Sequence, residues 1–356
     1  MNKKREIYSD LLKILSIFLV IVIHSIAFYR DKYLFINQKY YFFLTFVDSF
    51  TRIAVPIFFM ITGTFMLSKK EEKYSTYLKK RIPKLLIPFL LISIFYYAYE
   101  CNKNGISLSI KDFIIAFFSN NIKYHFWYMY AIILIYIIIP FLQVLVQNLN
   151  RKKMYNLILI LFILTNIFNT IFLLTDRYNF GILSSFTLPG FFSYINFLFL
   201  GYYLHKYDLD KKKKICLFII SLLCILIMPV ADHFFIDGIR NDQMLVVTSV
   251  FPIIPSIFTY IFFKDLFKNK KISERLSSII TIISSCVIYI YMIHVYVIEK
   301  FEKDLSKHWI CNSFLDDILR IFIVSIVTFL TSLVIAYLIV IIKKTTLKII
   351  DKIKKK

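Results

Sequence analysis

Paired cysteines are missing from this chain. The 5 present, Cys101, Cys216, Cys224, Cys286 and Cys311, are scattered, with no CxxC pair and no metal-ligand spacing. That pattern excludes a disulfide framework, and no metal site is expected from it. Glycine is scarce at 6 residues, while Lys, Ile, Phe and Tyr are abundant. Such a bias matches AT-rich coding, which raises Lys without a functional cause. The formal charge of +22 is therefore no sign of a nucleic-acid partner, and none is expected. No small-residue cleavage site follows the first apolar run, which also carries a polar stripe. That run is thus not a removable signal peptide. No connecting segment is long enough for a soluble domain, and no clear internal repeat is visible.

What the chain does have is apolar residues, 59% of the total, with mean hydropathy +0.69. This composition describes a polytopic membrane protein. Ten spans are expected, at 9–30, 43–67, 85–99, 126–146, 155–175, 188–205, 215–231, 247–267, 279–299 and 318–342. The third is short and is extended through Pro83 and Pro88 if the helix continues toward its N-terminal side. Segment 110–118 is apolar but too short to cross a bilayer. Lys and Arg concentrate in alternate connections: the N-terminus, 69–84, 151–153, 206–214, 264–275 and the tail from Lys343. By the positive-inside rule both termini lie in the cytoplasm. The expected fold is all-α, about ten transmembrane helices, a single domain over 1–356 with no fused soluble domain.

The spans carry ionisable groups, which are costly in a bilayer and face a bundle interior or a wet cavity. In the first span Lys13 and His24 stand eleven positions apart. At ~100° per residue they fall nearly in line. Asp10 and Glu6 lie close to that line, and Asp10 and Lys13 also suit snorkelling at the interface. In the second span Asp48 and Arg52 are an i,i+4 pair on one face. The expected depths let Asp48 meet His24 and orient its imidazole, as a carboxylate does in a triad. Pro56 and Gly63 in this span predict a kink or a close helix contact. Lys80, Arg81 and Lys84 form a basic cluster that reads either as the positive-inside signal or as a patch for donor phosphates. Tyr124 and Trp127 suit an interfacial aromatic belt, while His125 and His294 project to a depth similar to His24. Together they suggest a polar pocket in one half of the bundle.

Several stretches match a known family in order and spacing: YSDLLKILSIFLVIVIHS, RIAVPIFFMITGTFML, KKRIPKLLIP, HFWYMYAIILIYIIIP, FLFLGYYL and SSCVIYIYMIH. Over most of its length the chain resembles the membrane-bound acyltransferase family 3. Members include O-acetyltransferases of peptidoglycan and of bacterial surface polysaccharides. Many members carry Arg before the first-helix histidine with ten residues between; here Lys13 stands there. The family's Arg-x-x-Arg is Arg81-Ile-Pro-Lys84 in this chain. The resemblance implies acyl transfer, acetyl above all, from cytoplasmic acetyl-CoA to a hydroxyl of a surface or lipid-linked glycan at the bacterial cell membrane. It implies His24 as general base or acyl carrier, Asp48 as its orienter, and Arg52 as a charge stabiliser. Lys13, Lys80, Arg81 and Lys84 are implied on the donor, and Tyr124, His125, Trp127 and His294 around the acceptor. Membrane lipids are the other expected contact, and self-association into a homo-oligomer stays open. A transporter or flippase, or a non-catalytic export partner, is the alternative.

A cysteine placed in the 69–84 loop of a cysteine-free variant should stay unlabelled by an impermeant thiol reagent in intact cells. Labelling there without permeabilisation would overturn the cytoplasmic assignment of both termini.

Overall fold

The computed structural model describes residues 6–175, 190–234, 246–268, 270–309 and 313–353. Every element among them is helical. Helix α1 runs Ile7–Ile36 and ends at Asn37. Asn37 then caps α2 (Gln38–Thr51), its side chain accepting from the Lys39 and Tyr40 amides, as capping asparagines do. After a two-residue break come α3 (Ala54–Met66) and α4 (Tyr74–Asn104). The expected third span does run through Pro83 and Pro88, and α4 stops where Gly105 takes a positive φ of 64°. Short α5 (Ile110–Phe118) follows, then a 3-10 turn at Tyr124–Phe126 and α6 (Trp127–Gln147). A π-helical turn at Ile163–Ile167 joins α7 (Arg151–Phe162) to α8 (Phe168–Thr175). The remaining helices are α9 (Gly190–Lys206), α10 (Lys211–Phe234), α11 (Val250–Phe267), α12 (Glu274–His308) and α13 (Phe314–Ile353).

Nine helical segments among the described residues are long and apolar enough to cross a bilayer. They answer nine of the ten expected spans. The remaining one, 188–205, corresponds to the 17-residue α9; positions 188 and 189 lie outside the described residues, as does Cys311. The helices overrun the expected limits, because α1 continues to Ile36 and α12 to His308. Their ends are polar enough to fall below a hydropathy threshold yet keep helical hydrogen bonding.

The break between α2 and α3 has a local cause. Pro56 lacks the N–H that would bond the Arg52 carbonyl, and its ring crowds that carbonyl. The helix therefore opens at Arg52 and Ile53. The neighbouring Ile53 carbonyl accepts from the Ile57 amide at 3.2 Å and also from the Ser256 hydroxyl of α11 at 3.3 Å. Irregular backbone at such a position is tolerated only inside protein or beside a cavity.

The chain forms two compact units, one from its start to Phe65 and from Asn150 onward, the other from Met66 to Leu149. In the first, α1 packs against α2, α11, α12 and α13, α12 pairs with α13, and α10 pairs with α11. Two of the scarce glycines lock α3 to α9. A Cβ at Gly63 would overlap the Leu198 backbone, and one at Gly201 would overlap the Met60 backbone. Small residues permit this kind of backbone approach between membrane helices. A polar chain crosses nearby: the Tyr8 hydroxyl reaches His205 Nδ1 at 2.8 Å and the Tyr260 hydroxyl at 3.2 Å, and Thr64 meets Tyr260 at 2.6 Å. Beyond the end of α9, Asp208 accepts from Lys264 and Lys268 at 2.8 Å each, and these bonds hold its carboxyl well below the usual carboxylate range. In the second unit, α4 packs on α5 and α6, and the Gln143 side chain donates to the Met66 carbonyl at 2.6 Å.

Gly201→Val should cost about 1–3 kcal/mol through overpacking, read as a lower thermal unfolding midpoint in detergent. An unchanged midpoint would show that α3 and α9 separate freely.

Candidate active site

The strongest polar interaction of the first unit is built on Asp48, which is fully buried in α2. Arg30 of α1 donates Nη1 to its Oδ2 at 2.8 Å. Arg52 donates Nε to Oδ1 at 3.0 Å and Nη2 to Oδ2. The Thr51 hydroxyl adds a bond to Oδ1 at 2.8 Å. Arg30 is itself buried, and the Arg52 side chain is 17% exposed. The i,i+4 pairing of Asp48 with Arg52 is thus present. The expected service of Asp48 to His24 is not: both carboxylate oxygens are taken by guanidinium forks and Thr51. The reason is charge. In an apolar span a carboxylate gains far more from two cations than from an imidazole. Arg30 was placed at the end of the first span by sequence; the longer α1 draws it inside.

His24 finds a different neighbour. Its ring is half-buried on α1 and lies 5.2 Å, centroid to centroid, from the ring of fully buried His294 on α12, with 34° between the planes. His294 Nδ1 donates to the Tyr291 carbonyl of its own helix at 2.6 Å. That bond puts the proton on Nδ1 and makes Nε2 the acceptor nitrogen, a tautomer assigned from the hydrogen-bond pattern. Arg52 stands within electrostatic range of His24. So the structure brings His24, His294, Arg52 and Asp48 into one region, from α1, α2 and α12.

Lys13 is not part of that region. Eleven residues before His24, it lies about 16 Å away along α1 at 1.5 Å per residue. There it approaches Asp10 at 3.4 Å and sits 5.3 Å from the centre of the Phe65 ring. Asp10 in turn accepts from Ser284 of α12 at 2.6 Å. The polar stripe of α1 therefore faces α12 at both its lower and upper points, rather than the lipid.

The other sequence-picked residues belong to the second unit. Lys80 and Lys84, one turn apart on α4, are both exposed. Arg81 is engaged, donating to Glu72 at 2.9 Å and lying 4.4 Å from the Tyr77 ring centre. Its hydrogen bond holds the Glu72 carboxyl below the usual range. His125 is buried edge-on against Tyr96, with ring centroids 5.7 Å apart. Trp127 is half-buried and Tyr124 is 58% exposed. That split fits an interfacial position for Tyr124 and a packing position for His125.

Sequence reasoning missed a second polar assembly beyond the carboxyl-terminal part of the first span. Arg320 of α13 meets Glu302 of α12 at 2.8 Å, and Glu302 also accepts from Tyr29 at 3.1 Å. Asp317 accepts from Lys32 at 2.9 Å and from the Tyr33 hydroxyl. The carboxylates and their cations are far apart in sequence, so only Arg320 inside an apolar run signalled the cluster.

The chain belongs to a family of membrane acyltransferases. A family model described as an acyltransferase domain, acyltransferase family 3, matches residues 6–337, which is nearly the whole chain. Comparison with curated proteins and with solved structures returned no significant match. The protein is thus a multi-pass membrane acyltransferase by family and by its helices.

Asp48→Asn should destabilise the protein by about 3–5 kcal/mol, because two cations lose their shared counter-charge in a buried setting. Adding Arg30→Gln should return part of that loss, as expected for residues in one network. Thermal unfolding of the single and double variants checks both points; strictly additive losses would deny the coupling.

Proposed function

We propose that this chain transfers an acetyl group from acetyl-CoA to a hydroxyl of a cell-surface or lipid-linked glycan at the bacterial plasma membrane. The observation that carries this reading is the His24–His294 pair, ring centroids 5.2 Å apart, in the same unit whose second span is broken at Arg52 and Ile53. Discontinuous helices of membrane proteins commonly mark the substrate site.

The steps follow from these groups. His24 accepts the proton of the acceptor hydroxyl as that oxygen attacks the thioester carbonyl carbon. A C–O bond forms, and the carbonyl electrons move to oxygen as a tetrahedral oxyanion. Arg52 engages Asp48 through Nε and Nη2, and Nη1 is the donor assigned to that oxyanion, a site where fixed cations are most effective. Collapse of the intermediate breaks the C–S bond, and the imidazolium returns its proton to the departing thiolate. His294, its Nδ1 held by a backbone carbonyl, fixes the ring stack and supplies an acceptor nitrogen beside His24. Lys80 and Lys84 of the second unit offer exposed charge to donor phosphates. Both termini in the cytoplasm would put those groups on the donor side and the histidine pair toward the acceptor.

His24→Gln keeps size and one donor but cannot take up a proton. It should lower acetylated glycan per unit of folded protein by ~10²–10⁴-fold, the usual contribution of positioned acid–base catalysis. Retention of more than about a tenth of wild-type activity would remove His24 as the base. Absence of CoA release by the purified wild-type chain would instead favour a carrier of the glycan over an enzyme.

A further inference from the structure

A cavity of about 530 Å³ opens between α1, α12 and α13. Its volume falls in the range of small-molecule sites. It starts near the histidine pair: Tyr29 follows His24 by five residues, about 7.5 Å along α1. Glu302 follows His294 by eight, about 12 Å along α12. The wall combines two kinds of surface. Trp309 and Phe28 bring aromatic faces, and Phe28 is 66% exposed. Glu302, Asp317, Arg320 and Lys303 bring charge of both signs.

We infer that this cavity is the acceptor site and that it holds one or two sugar rings. The inference rests on the acyltransferase reading above and names where that reaction's acceptor sits. Sugars present apolar C–H faces and a rim of hydroxyls that both donate and accept. Aromatic planes match the faces; carboxylates accept from hydroxyls, and Arg and Lys donate to them. The wall carries Lys32, Lys303 and Arg320 against Glu302 and Asp317, so a phosphate-bearing lipid headgroup is the rival occupant that the test separates from a sugar. The site is also held rigid. Glu302 is fixed by Arg320 at 2.8 Å and by Tyr29 at 3.1 Å. Arg320 reaches past that carboxylate to the carbonyls of Glu302 at 2.9 Å and Trp309 at 3.2 Å. It thereby ties down the last turn of α12 and the backbone that carries the indole. Trp309 stands just past the end of α12, in extended backbone, seven residues after Glu302. Recognition groups anchored in this way lose little freedom when a ligand binds.

The test uses the full-length protein in detergent and the glycan fraction released from the surface of the producing cells. Trp309→Ala should raise the KM for that glycan about tenfold or more with kcat changed far less, the pattern of lost ground-state binding. Trp309→Phe should recover most of the loss, and both variants should keep the wild-type unfolding midpoint. Binding is read separately in a Trp127→Phe chain, where Trp309 is the remaining one of the 2 tryptophans. There the glycan fraction should shift or quench the emission even where no donor is present. A wild type that binds glycan but transfers nothing to it would end the transferase reading and keep the cavity. A wild type that transfers normally, with an unaltered KM in Trp309→Ala, would remove the cavity and keep the transferase. Emission that responds to nanodiscs of anionic phospholipid and not to glycan would also overturn the assignment.

Discussion

A single carboxylate holds the central helices in register. Asp48 is buried among apolar side chains, where an isolated charge is untenable. Two guanidinium groups resolve the problem, one from α1 and one from the end of its own helix. The arrangement permits no sliding of α2 along α1, because a shift of one turn would strand three charges. It also explains why α1 stays helical past its apolar stretch: Arg30 must remain inside to complete the group. The histidine pair lies about two turns below, at 1.5 Å per residue, on helices whose relative height this ion group helps to set.

Much of this was legible in the sequence, for reasons that can be named. Hydropathy reports the transfer of apolar surface, so the spans emerged with their order, and the family resemblance agreed with them. Pro56 announced the interruption of the second span, since proline acts on its own carbonyl neighbour whatever surrounds it. The pairing of Asp48 with Arg52 followed from helical geometry alone. His24 and His294 were placed at similar depth from their spacing to the span ends, and they do meet.

What was not legible depended on competition or on distance along the chain. Depth alone brought Asp48 to the level of His24, yet it could not reveal that Arg30 would claim the same oxygens. The role of Arg30 hinged on six further residues of helix at the end of α1, where polar side chains mask the continuing structure. Glu302 and Arg320 are separated by a helix end, and Tyr29 lies almost the length of the chain away. Charges of this kind look like ordinary interfacial residues until the helices that bear them are packed together. The basic cluster shows the reverse case: Lys80, Arg81 and Lys84 are contiguous in sequence, but Arg81 is drawn aside by Glu72.

The interruption at Arg52 and Ile53 has a mechanical consequence. The segment before it is riveted to α1 through the Asp48–Arg30 bond, and the segment after it is seated on α9 through Gly63 and Gly201. One span therefore belongs to two rigid blocks joined by two residues. A rearrangement that admits a substrate would turn at this joint, and the joint carries Arg52, the arginine proposed to meet the oxyanion. Opening the bundle and repositioning that guanidinium are, on this construction, a single movement.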